Sequence, residues 1–183
     1  TAVQAGTEAA VQALCQEAGH PLEWKLPNRC VTVSADPILL ERAINNLISN
    51  ALKFSDAGTP ILFKCDVTSR TVFFRVRNQC TDPCGQVLHD AFQRLNRQGV
   101  LPDPNWGVGL GLPLVCAIAR LHGGTAAVEQ DASGVVTVTV SIRRQSGALH
   151  VESPPFDYTR GMRRSLVELS DSLPTRCFDP EGL

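Results

Sequence analysis

Asn46, Asn50 and Lys53 follow one another at spacings of four and three within ERAINNLISNALKFS, the stretch from Glu41 to Ser55. Each helical residue turns by about 100°, so positions four and seven apart share a face. The three therefore form a polar stripe beside an apolar one made by Leu40, Ile44, Leu47 and Ala51, which should face the core. Arg42, Asn45 and Ser49 fall further round, where water is expected. Carboxamides at the edge of a core line a cleft and need partners, because an unsatisfied buried polar atom costs about 1–3 kcal/mol. An ordinary polar flank is the competing reading, and these residues alone do not separate the two.

A second stretch, WGVGLGLPLVCAIARLHGG, sets Gly107, Gly109 and Gly111 where a helix should begin. Glycines let backbone approach a ligand closely, and free N–H groups at the positive end of a helix favour an anion such as phosphate. A flexible hinge is the commoner use of alternating glycines, and the Lys-Ser/Thr pair of a P-loop is absent. CTDPCGQVLHD gathers Cys80, Cys84 and His89, but it has no fourth ligand and no zinc spacing. The other cysteines, at 15, 30, 65, 116 and 177, are scattered, mostly in apolar stretches. Together the seven read as reduced thiols acting as small core residues of a cytosolic protein. None of His20, His89, His122 and His150 lies in a helical His-Glu motif.

These residues need elements to hold them. Residues 5–18 read as a helix stopped by Gly19. LEWKL and CVTVS read as short strands. Asp36 before Pro37 is an N-cap followed by proline at the first helical position, predicting a helix from about Pro37 to Leu52. PILFKCDV and RTVFFRVRN alternate as a strand pair, and GLGLPLVCAIARLHGG predicts a second long helix ending at Gly123-Gly124. TAAVEQ and GVVTVTVSIRR close the set as strands, while short helices are expected around 86–95 and in MRRSLVELSDSL. The order predicts an α+β fold, a two-layer α/β sandwich with a mixed, mostly antiparallel sheet of about five strands against three helices.

With 43% hydrophobic and 19% charged residues, the 183-residue chain has the composition of a globular domain. With a net charge of -1, the bulk composition gives no hint of a nucleic-acid or membrane surface. The chain has no apolar run long enough to span a bilayer and no secretory pattern at its start. Its opening, TAVQAGTEAAVQALCQ, begins without Met in a helix-like stretch, which reads as a fragment of a longer protein.

In their order, NNLISNALKFS, DAFQRL and GVGLGLPLVCAIARLHGG resemble the N box, F box and second glycine box of the GHKL (Bergerat-fold) ATPases. The likeness is to the ATP-binding catalytic domain of sensor histidine kinases and covers roughly residues 7–143. It implies a catalytic domain over 1–145 and a C-terminal extension over 146–183. It also implies binding of ATP with Mg²⁺. Asn50 would be the metal ligand, with Asn46 and Lys53 on the phosphates or the metal's water shell. Phe54 would lie at the adenine, Gly107, Gly109 and Gly111 at the phosphates, and Leu112 beside them. Phe92 would anchor the base of the lid.

Where the family's first glycine box carries an aspartate, this chain has Asn78 in VRNQCTDPC, with Cys80 and Asp82 in place of glycines. An asparagine carbonyl still accepts a hydrogen bond from the adenine amino group, without charge assistance. In hydrolysing relatives a glutamate stands at the position of Asn46, and an amide is no general base near neutral pH. The γ-phosphate is therefore expected to go to a histidine on a dimerisation domain outside this fragment.

The further partner is a response regulator, with no nucleic acid. The fragment is expected to be monomeric and the full protein a homodimer. The expected place is the cytoplasm, or the cytosolic part of a membrane-bound sensor. A regulatory module that has lost nucleotide binding and an anti-sigma-type serine kinase are the alternative readings.

Overall fold

Asp36 starts the central helix as its sequence demands. Its carboxylate accepts hydrogen bonds from the backbone N–H groups of Ile38 and Leu39 at 2.8 and 3.1 Å, and Pro37 follows with no N–H to satisfy. The computed structural model describes residues 5–28, 31, 33–81 and 111–144. Within them lie α1 (Ala5–Glu17), β1 (Leu22–Lys25), α2 (Pro37–Phe54), β2 (Ile61–Val67), β3 (Thr71–Gln79), α3 (Gly111–Leu121), β4 (Ala126–Gln130) and β5 (Val135–Arg143). The helices expected around 86–95 and 162–173 lie outside the described residues, as does the extension over 146–183.

The five strands form one sheet in the order β1-β2-β3-β5-β4. β1 runs parallel to β2, and the other three pairings are antiparallel. Alternation along β3 and β5 sends Val72, Phe74, Val76, Val136, Val138, Val140 and Ile142 to one buried face. On that face α2 and α3 pack side by side, which completes the expected two layers.

Two expectations need correction. Val31, Val33 and Ser34 of CVTVS carry no strand structure; the two valines are half-buried against the core without entering the sheet. Asn45 and Ser49 are not on a watery face either, at 2% and 9% exposure. The helix packs on the sheet with one side and on α3 with another, and Leu40, Ala43, Ile44, Leu47, Ile48, Ala51 and Leu52 are buried around much of its circumference. Little of that surface is left to solvent, and both polar residues find partners.

α3 ends in HGG for two separate reasons. Gly123, at φ 68°, takes the left-handed cap, with Gly123 N–H donating to Arg120 O and Gly124 N–H to Ala119 O. A Cβ on Gly124 would meet the Ser141 carbonyl oxygen at 1.8 Å, so the turn packs directly on β5. His122 then links distant parts of the chain. Its Nδ1–H donates to Ile118 O at 2.7 Å, and its Nε2 accepts from the Asp36 N–H at 3.1 Å. The end of α3 is thereby tied to the start of α2, and the two helices run antiparallel. Among the described residues, no helix is long and apolar enough to cross a membrane.

Candidate functional site

The antiparallel pairing carries the N-terminus of α3 to the asparagines of α2. A Cβ built on Gly111 would lie 2.6 Å from Asn46 Oδ1 and 3.8 Å from Asn50 Nδ2. A side chain at 111 would therefore push Asn46 aside, and glycine permits the contact. Asn46 is held by its own helix, its Nδ2 donating to Arg42 O at 2.8 Å, which turns its Oδ1 toward Gly111.

Beside this contact lies a narrow cavity between the helices and the sheet. Asn50, Ala51 and Phe54 come from α2, Leu112 from α3, Val76 and Asn78 from β3, and Val136 and Val138 from β5. Its walls are apolar apart from two carboxamides. Asn50 Nδ2 and Asn78 Nδ2 are both buried and have no hydrogen-bond partner. Each leaves about 1–3 kcal/mol of desolvation unanswered within the protein, and unlike Trp24 Nε1, which is also without a partner, the two share one cavity, as a polar ligand would require. The donor chemistry also suits Mg²⁺, a hard cation that takes oxygen ligands and keeps several waters, so one amide oxygen beside phosphate oxygens can hold it.

Six residues singled out in the sequence thus meet here: Asn46, Asn50, Phe54, Asn78, Gly111 and Leu112. Lys53 stands in the last turn of α2, exposed and without an ion pair among the described residues, where its charge also favours the helix end. Gly107, Gly109, Phe92 and Asp82 lie outside the described residues.

The floor after Asn78 is fixed by contacts that the sequence did not announce. Asp56 N–H donates to Gln79 O at 2.8 Å, and Cys80 N–H to Gly134 O at 2.9 Å. Gln130 Nε2 donates to Cys80 O at 2.9 Å, and Gln79 Nε2 to Ser133 O at 2.7 Å. The Asp56 carboxylate accepts from the Thr81 N–H at 3.1 Å and from the Thr81 hydroxyl, and these bonds hold its carboxyl below the usual range. Cys80 is disulfide-bonded, which departs from the expectation of reduced thiols throughout. Cys15, Cys65 and Cys116 are free, and burial pushes their thiols up to about 12, 11 and 11, so they act as small apolar residues.

Residues 35–146 match the family of histidine kinase-, DNA gyrase B-, and HSP90-like ATPases. The chain is 34% identical over 128 residues to the sensor histidine kinase CusS of Escherichia coli K12, covering 67% of this chain and 25% of that protein. It is 32% identical over 116 residues to the sensor protein KdpD of Clostridium acetobutylicum, covering 63% of this chain and 13% of that one. The chain therefore spans about a quarter or less of these relatives' length. The catalytic domain of histidine kinase ThkA shares the fold, with a TM-score of 0.60, 20% identity, and coverage of 74% of this chain and 88% of the other. With that family match running over more than half of the sequence, on a fold that presses an asparagine-bearing helix against a glycine-started one, the chain belongs to the histidine kinase-, DNA gyrase B- and HSP90-like ATPases.

Proposed function

We propose that this domain holds ATP with Mg²⁺ and presents the γ-phosphate to a histidine on a dimerisation domain of the same protein, as the catalytic module of a two-component sensor histidine kinase. The observation that carries the reading is the pair of buried, unpartnered amide nitrogens, Asn50 Nδ2 and Asn78 Nδ2, on one otherwise apolar cavity. Phe54, Val76, Val136, Val138 and Leu112 supply walls for a flat heterocycle. The Asn78 carbonyl accepts a hydrogen bond from the adenine amino group.

Asn50 is the metal ligand through its side-chain oxygen, and Asn46 and Lys53 face the phosphates or the metal's water shell. Gly111 stands at the positive end of α3, where a free N–H suits a phosphate oxygen, and Gly107 and Gly109 are assigned to the phosphates with it. Mg²⁺, when bound, draws charge from the phosphates and so favours transfer of the terminal one. Asn46, as an amide, removes no proton from water near neutral pH, so the γ-phosphate is kept for the acceptor histidine and slow hydrolysis is expected. In the whole protein the partners are that acceptor domain, within a homodimer, and a response regulator downstream. The site faces the cytosol, where ATP is available.

Calorimetric titration with ATP and Mg²⁺ tests the reading. Asn50→Ala is expected to weaken Mg²⁺-dependent binding by at least about 100-fold. Its melting temperature should hold, since the Asn50 Nδ2 has no partner within the protein. Unchanged affinity in that variant removes Asn50 from the site. Undetectable binding of the unaltered domain at millimolar ATP rejects the kinase reading in favour of a regulatory module without nucleotide.

A further inference from the structure

Asn78 sits on β3 opposite Val136, 6% exposed, with its side chain on the buried face of the sheet. Among the described residues, it and Asn50 are the only polar side chains lining the cavity, and the Asn78 Nδ2 has no partner. An ionised carboxylate at this position could only accept hydrogen bonds; a carboxamide both accepts and donates. Rotation of the amide exchanges its two ends with little movement of heavy atoms. Turned one way, Asn78 meets an exocyclic amine with its oxygen. Turned the other, it meets an exocyclic carbonyl with its orphaned N–H₂, which a carboxylate would repel. Charge does not decide between the two, because the amide is neutral, so neither base gains a charge-assisted bond.

We propose that Asn78 makes this cavity a general purine site, one that takes a 6-oxopurine nucleoside triphosphate as well as ATP. The inference rests on the nucleotide-binding reading above and adds the base specificity of that site. The two purine classes should bind with affinities within about tenfold of each other, since each gains one neutral hydrogen bond from the same group. Asn78→Asp should tighten ATP and lose the 6-oxopurine, widening the ratio by at least about tenfold. Asn78→Ala, lacking both donor and acceptor, should weaken the two alike.

Inosine triphosphate is the probe, because it differs from ATP at the 6-position and in the N1 proton, without the 2-amino group of guanine. The unaltered domain, Asn78→Asp and Asn78→Ala are titrated with ATP and with inosine triphosphate, each with Mg²⁺, at one salt concentration. Thermal melts run alongside check that each variant folds. Comparable binding of both nucleotides by the unaltered domain, with selective loss of inosine triphosphate in Asn78→Asp, supports the proposal. ATP binding with inosine triphosphate more than about tenfold weaker overturns it and leaves the ATP site standing. Equal binding of inosine triphosphate by the unaltered domain and by folded Asn78→Asp also overturns it, since Asn78 then reads nothing. If neither nucleotide binds, the nucleotide site itself falls and this proposal with it. The ratio for the unaltered domain needs no variant, so a strong preference for ATP overturns the proposal even where a substitution fails to fold.

Discussion

Asp56 joins two segments that each deliver a site residue, for it follows Phe54 by two positions and grips Thr81, three beyond Asn78. Because those hydrogen bonds lower its carboxyl in the folded protein, the stabilisation is present above the unfolded value of about 3.9 and is lost as pH falls through the lower folded one. Asp56→Asn should therefore be less stable than the unaltered protein at pH 6, and the gap should narrow below about pH 4. Urea unfolding across that range measures it; a gap independent of pH means the carboxylate charge contributes nothing. Asp56 could not be singled out in the sequence, because its partner lies 25 residues away and nothing in the local pattern marks it. Asn50 could, since its place on a helix face follows from spacing alone. The orphaned amide at Asn78 was legible only in part: the residue type stood in the sequence, but its lack of a partner depends on what β5 and α3 bring beside it.

At the next scale, the two helices lie so close at Gly111 that an added methyl group would meet the Asn46 side chain. In Gly111→Ala the new Cβ would displace Asn46 Oδ1, disturbing the Asn46–Arg42 hydrogen bond, which contributes about 1 kcal/mol. The lower backbone entropy of alanine offsets roughly 0.5–1 kcal/mol. Stability should therefore change little, while affinity for ATP with Mg²⁺ should fall about tenfold because Asn46 is misplaced. Calorimetry beside a thermal melt separates the two, and unaltered affinity would show that the contact does not shape the site. Helices and strands themselves were well marked in the sequence, as α2 shows by starting at its Asp-Pro cap and α3 by stopping at HGG. Val31 and Val33 show the limit of alternation, which reports a face to bury but not whether the backbone beside it pairs with the sheet. Asn45 and Ser49 failed because helical periodicity places a residue on a face without saying what covers that face.

Across the described residues, the sheet and the three helices share one core, and an aromatic cluster in it joins three neighbouring strands. Phe63 is 2% exposed, 4.8 Å from the Trp24 ring and 6.2 Å from that of Phe74. Phe63→Ala should cost about 3–5 kcal/mol, a large share of the roughly 5–15 kcal/mol that holds a domain folded. Denaturant unfolding reads the loss, and a change under about 1 kcal/mol would mean that the strands close over the gap. The bond from Asp36 to His122 has a mechanical meaning at this scale. It sits at one end of the antiparallel helix pair, with Gly111 and Asn50 toward the other. With His122 fixing one end and Gly111 pressed on Asn46 and Asn50 toward the other, the helix pair is pinned at two places along its length, so the carboxamides stand on a braced support.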